Sequence, residues 1–316
     1  VRLADLPQSP VGDGVLERIL KLEVAIMAIK TILVPIGGNN EASLTALNRA
    51  FVIANRFGAH ITGLHVMERV SDSASFEMGY LPKKLRNSVQ SSAEHSALEK
   101  ANEQRETFEK ACSEANINIS DKPTKGDSPS AGWHQEFGHV EDVLVRHARL
   151  SDLVTVPRPR LAPGLARRSP VGRAVEAMLC GTGRPVLIEP PQSTVEQCDS
   201  VAIGWNESTE ASRAVAMTLP WLALMNGVTI LASKKRESGA KALVDYLSWH
   251  DILSSVVYLD NKGPSIGEAM LNACAEQEAG FLVVGGFSHA RARELLFGGV
   301  TRYLLTNSNI PTLMVH

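Results

Sequence analysis

Cysteine is scarce in this chain. Cys112, Cys180, Cys198 and Cys274 are widely scattered among 316 residues, and no two stand in C-x-x-C or another metal-ligand spacing. That excludes a disulfide framework and reads as reduced thiols in a cytoplasmic protein. Neither sign of charge is in excess: 32 Lys and Arg face 34 Asp and Glu, a formal net charge of −2. This argues against a general nucleic-acid or anionic-membrane binder. No apolar run reaches the roughly 18 residues that a spanning helix needs. Catalytic signatures are missing too. There is no Gly-x-Ser-x-Gly nucleophile elbow and no Gly-x4-Gly-Lys-Ser/Thr phosphate loop. Nor does a Gly-x-Gly-x-x-Gly follow either candidate first strand. His134 and His139 lack a metal-like partner at helical spacing. His147 lies eight residues from His139, so the two could share a helix face. The expectation is no metal site and no catalytic residue.

What is present is self-similarity. Ile32–Ile36 (ILVPI) and Val201–Trp205 (VAIGW) read as short buried strands. Each precedes a polar turn and an Ala-rich helical stretch, 37–58 and 206–227, closing on Gly58 or Gly227 as a C′ glycine would. A second strand follows in each half, Ile61–Val66 and Val228–Ala232. Third strands are expected at Trp133–Phe137 and Ser255–Leu259. Later come Leu153–Val156 and Phe281–Val284, then a helix, then a last strand preceded by Pro185 or Pro311. The period is about 170 residues. Strands alternating with helices predict open parallel sheets covered on both faces, so the fold class is α/β with two tandem Rossmann-like modules.

The expected domains are an extension over 1–27, a first domain over 28–190, a linker over 191–198 and a second domain over 199–316. Met27-Ala-Ile-Lys looks like a natural start, and the stretch before it lacks the order of a secretory signal. Val15–Ile26 could form an amphipathic helix. The first half carries a polar insert, Arg69–Ser120. Within it Leu85–Ala115 predicts one long Glu/Lys-rich helix, with a loop over Asp121–Gly132 after it.

The end of the chain carries the functional signal. The strand Phe281–Val284 runs into Gly285 and Gly286, and a second glycine pair, Gly298 and Gly299, opens a helix over Val300–Leu305. Backbone N–H groups at a helix start reached through glycines suit an anion such as phosphate. The spacing Gly285-x2-Ser288-x9-Gly298-Gly299, with the doubled βαβ pattern and the Pro-preceded last strand, resembles a tandem universal stress protein over about residues 28–316.

That resemblance implies adenine-nucleotide binding in many members. It also implies pairing of two modules, often through their last strands, which a tandem chain could achieve internally, with a further homodimer open. Carried over by position, Asn206 stands where an Asp contacts adenosine, and Gly37 stands there in the first half. The main chain of Ala232 and Ser233 would frame adenine. Gly285 and Gly298 keep their places, while Ser288 replaces a glycine and Gly299 replaces Ser or Thr. Val300 continues the helix start, and Thr301 could supply a hydroxyl. If the second loop position has φ > 0, Ser288 carries a left-handed penalty of roughly 1–2 kcal/mol. Arg291, Arg293, Arg302 and His289 could add contacts to phosphate, or face solvent. The first half lacks the glycine spacing after Val156 and reads as a degenerate structural copy.

The implied function is a cytoplasmic stress-response protein that binds ATP or another adenine nucleotide, with Mg, in its C-terminal half. Hydrolysis would be slow at most, because no general base stands out. The alternative is an interaction scaffold with both sites degenerate, the 85–115 helix meeting unknown protein partners. No nucleic acid and no membrane is expected as a partner.

Overall fold

The computed structural model describes residues 29–37, 40–68, 83–122, 128–159, 170–191, 199–260, 265–286 and 299–316. The expected extension over 1–27 lies outside them, as do nearly all of the expected linker and the residues Phe287, Ser288, His289, Arg291, Arg293 and Gly298.

In chain order the described elements begin with β1 (Thr31–Pro35), α1 (Asn40–Phe57), β2 (His60–Met67), α2 (Lys83–Glu114), β3 (Asn118–Ile119) and β4 (Ser130–Phe137). Then come α3 (Val140–Ala148), β5 (Leu153–Pro157), α4 (Pro170–Gly181) and β6 (Val186–Glu189). The second series is β7 (Ser200–Trp205), α5 (Thr209–Leu222), β8 (Gly227–Ser233), α6 (Glu237–Ser248) and β9 (Ser254–Leu259). It ends with α7 (Ile266–Glu276), β10 (Phe281–Gly285), α8 (Gly299–Asn307) and β11 (Thr312–Val315).

All eleven strands lie in one sheet, ordered β3-β4-β2-β1-β5-β6-β11-β10-β7-β8-β9. Every neighbouring pair is parallel except β6 with β11, which is antiparallel. The order β6-β5-β1-β2-β4 therefore recurs, mirrored about that joint, as β11-β10-β7-β8-β9. This is the open, mostly parallel α/β sheet that the alternating pattern predicts.

Period-2 alternation explains how both faces are covered. Ile32, Ile61, Ile203, Ile230 and Val283 enter one buried cluster with residues of α1, α2, α5 and α6. Leu33, Leu64, Ala202, Leu231 and Leu282 enter the other, with α3, α4, α7 and α8. Each fully buried Leu or Ile contributes about 1.5–3 kcal/mol relative to exposure.

Two expectations are corrected. Gly58 does end α1 with φ 61°, but Gly227 ends no helix: α5 stops at Leu222, after Pro220, and Gly227 opens β8. The stretch Asp121–Gly132 is not all loop, since β4 begins at Ser130 and pairs with His60. Its small residues fit a crowded edge. A Cβ on Gly132 would lie 3.1 Å from the Ser120 carbonyl oxygen and 3.3 Å from His60 Nε2. Glu207 flanks the first turn of α5. It precedes the N-cap Ser208, whose side chain accepts a hydrogen bond from Ala211 N at 3.2 Å. The long helix is real and spans Lys83–Glu114. It buries Ala101, Phe108, Ala111 and Cys112, while Leu85, Val89 and Leu98 stay exposed. No helix among the described residues is long and apolar enough to cross a membrane.

Candidate functional site

In an open parallel sheet, ligands bind beyond the carboxyl ends of strands where the order reverses. Here the reversals fall between β7 and β10 in the second half and between β1 and β5 in the first.

At the second-half reversal, Val284 pairs with Gly204 and Ala232 pairs with Trp205. Asn206, Ser233 and Gly286 then follow at one level on three adjacent strands. Asn206 is exposed, and its Oδ1 accepts the Ser208 N–H at 3.1 Å. Ala232 is buried, whereas Ser233 is half-buried and directly precedes a 3-10 turn, Lys234–Arg236. Gly286 donates its N–H to the Val315 carbonyl at 2.8 Å, which fixes the exit of β10 against the end of β11.

Gly285 has a packing reason to be glycine. A Cβ there would sit 2.4 Å from Ala211 N and 2.6 Å from the Glu210 carbonyl carbon. The first turn of α5 thus presses on the end of β10. By contrast, a Cβ on Gly299 would meet nothing within 4 Å. Gly299 and Val300 are exposed at the start of α8, and Thr301 is buried one residue on. Arg302 is exposed. Acidic charge near Asn206 is partly neutralised. Glu207, with φ 59°, bonds Arg236 at 2.6 Å. The structure thus brings Asn206, Ser233 and Gly285 together at one sheet end and sets Gly299 at a helix start. Ser288 and Gly298, which would connect them, lie outside the described residues.

The first-half reversal holds a cavity of about 220 Å³ that sequence reasoning missed. Leu64, Val156, Val140, Leu144 and Met178 are among its walls, and Ile36, Gly37 and Ser43 also line it. Its polar groups are largely engaged. Ser43 Oγ donates to the Gly37 carbonyl at 3.0 Å. His65 Nδ1 lies 2.8 Å from the Ile36 carbonyl and donates to it. The only cue in the sequence was Gly37, a missing side chain where the resemblance expects an Asp.

A second group also escaped the sequence. His134 and Glu136 leave β4 on the same face, and the last turn of α3 brings His147 to them. Glu136 Oε2 lies 3.1 Å from His147 Nε2 and 3.7 Å from His134 Nε2, and Arg146 donates to Glu136 Oε1 at 2.6 Å. The Arg146 hydrogen bond first, then that of His147, pulls the Glu136 carboxyl down to about 2. Helical spacing does not reveal the cluster, because it joins a strand to a helix.

Comparison with known proteins bears on the fold. Residues 28–156 match the model of the Universal stress protein family. None of the curated proteins matches the chain. A universal stress protein from Archaeoglobus fulgidus superposes with TM-score 0.64 at 15% identity, over 90% of this chain and 95% of its own. A functionally unknown protein from Pseudomonas aeruginosa superposes with TM-score 0.51 at 16% identity, over 92% of this chain and 94% of its own. A universal stress protein solved in complex with cAMP aligns over 52% of this chain and 99% of its own, at 18% identity and TM-score 0.31. The sequence match lies in the half without the glycine spacing, while the likeness in fold runs through both. Residues 28–156 therefore match a universal stress protein domain, and the two-part sheet around them has the fold of universal stress proteins.

Proposed function

We propose that this chain is a cytoplasmic stress-response protein whose second half binds an adenine nucleotide. The nucleotide lies in the crevice between β7 and β10. The observation that carries this reading is the shared level of Asn206, Ser233 and Gly286 at the strand-order reversal. Asn206 offers hydrogen bonds to the ribose. The main chain at Ala232 and Ser233 borders the base. The α8 start at Gly299 and Val300, with Gly285, Ser288, Gly298 and Thr301, makes the phosphate side. Mg accompanies the phosphates. Turnover is slow or nil in this reading: Glu207, the carboxylate next to Asn206, is paired with Arg236. Nucleotide occupancy then acts as a signal by changing the surface around α8.

Calorimetric titration with Mg-ATP, with ADP and AMP as comparators, tests this. Saturable binding near one site per chain, lost in Gly298→Asp, supports the reading. Absence of both heat and thermal stabilisation at millimolar nucleotide contradicts it.

A second reading rests on α2. Its amino-terminal turns expose Leu85, Val89 and Leu98 on a helix about 48 Å long. In that reading α2 is the partner surface, both crevices are empty of nucleotide, and the chain is a scaffold. Retention of a partner by the chain with Gly298→Asp, and its loss with Leu85→Glu/Val89→Glu, would favour it.

A further inference from the structure

We propose that His134, Glu136 and His147 form a binding site for a divalent transition metal of the zinc class. One ligand atom from each residue falls within 4.8 Å of the other two. Tetrahedral zinc with bonds of about 2.0–2.1 Å places neighbouring ligand atoms about 3.3 Å apart. The 3.1 Å and 3.7 Å separations at Glu136 Oε2 bracket that value.

The arrangement asks for more than an ion pair. Arg146 and His147 already satisfy Glu136. His134 nonetheless turns its Nε2 toward the same oxygen, with its ring centroid 4.8 Å from that of His147. Two imidazoles thus converge on one carboxylate oxygen. A metal ion would take one nitrogen lone pair from each ring together with that oxygen.

The carboxylate is divided to suit such an ion. Oε2 faces the imidazoles, and Oε1 is held by Arg146, as an outer partner orients a ligating carboxylate. Two nitrogens and one oxygen favour zinc over magnesium or calcium, which prefer all-oxygen sets. With three protein ligands, the fourth position is left to water. Nothing here requires catalysis. The ion would tie the last turn of α3 to the carboxyl end of β4. The same helix sends Val140 and Leu144 to the first-half cavity, so metal occupancy and the cavity wall are mechanically linked.

The test uses the full chain without a polyhistidine tag, stripped with chelator. It is titrated with zinc chloride by calorimetry and with cobalt(II) by visible absorption. About one zinc per chain is expected, with the intense visible bands of tetrahedral cobalt. His134→Ala and His147→Ala should each weaken zinc binding at least tenfold. His95→Ala, altering an exposed histidine paired with Glu99 on α2, should leave it unchanged. His134 is half-exposed, so its variant is expected to fold; circular dichroism and the thermal midpoint confirm that. Zinc binding that survives both His134→Ala and His147→Ala, or no zinc binding by the folded wild type, would overturn the proposal.

Discussion

Arg49 and Glu189 form a buried, two-point ion pair: Arg49 Nε meets Glu189 Oε2 at 3.1 Å, and Nη2 meets Oε1 at 3.2 Å. The arginine side chain is 5% exposed and the carboxylate 0%. Arg49 comes from α1. Glu189 ends β6, the strand that meets β11 across the antiparallel joint. Removing one partner would strand the other charge away from water, which costs about 3–5 kcal/mol. Glu189→Leu should lower the unfolding free energy obtained from urea titration by that much. The double change Arg49→Met with Glu189→Leu should recover most of it. A double variant as unstable as the single one would show that the pair is not the reason.

No reading of the sequence could have found this pair, because its members are 140 residues apart. What was legible came from local chemistry. Strand runs such as ILVPI and VAIGW were visible because a strand buried on both faces is apolar throughout, and their order was visible because it repeats. The small-residue start of β4, Ser130-Ala131-Gly132, was hidden because its composition is that of a loop, and only pairing with β2 makes it a strand. For the same reason Asn206 and Gly285 could be nominated from spacing. His134, Glu136 and His147 could not, since a strand and a helix must first pack together.

The two glycines of the candidate crevice should respond oppositely. Gly285→Ala puts a methyl 2.4 Å from Ala211 N, a backbone atom that cannot turn aside. Overpacking of that kind costs about 1–3 kcal/mol. Gly299 meets open space, so Gly299→Ser should leave stability unchanged or raise it by about 0.4–1 kcal/mol. Thermal midpoints of the two variants check this. In nucleotide titrations Gly299→Ser should also bind at least as tightly as wild type.

Glu136 should make stability depend on acid. Its carboxyl is held at about 2 against an ordinary 4.5, so its ion pairs stabilise the fold above pH 4.5 and fade as pH falls toward 2. The excess stability of wild type over Glu136→Gln should shrink as pH falls from 4.5 to 2. The group is partly exposed, so the difference is small and salt-sensitive. Denaturant midpoints across that range measure it; a difference that grows on acidification would be the wrong sign.

The thiols should divide by accessibility. Burial pushes Cys274 up to about 12, and burial, aided by the charge of Glu109, does the same to Cys112. Both are buried, so neither thiolate forms near neutral pH. Cys180 is exposed on α4, though its thiol is also raised. Iodoacetamide followed by peptide mass spectrometry should modify Cys180 in the native protein, faster as pH rises. Cys112 and Cys274 should react only on unfolding.

The measurement that bears most directly on function is photolabelling with an azido-adenine nucleotide, followed by mapping of the labelled peptides. Binding in the crevice between β7 and β10 should place the label on peptides from residues 199–316, near Asn206, Ser233 or the start of α8, with excess ATP competing it away. Label confined to residues 28–191, or labelling that ATP does not reduce, would contradict a nucleotide site in the second half.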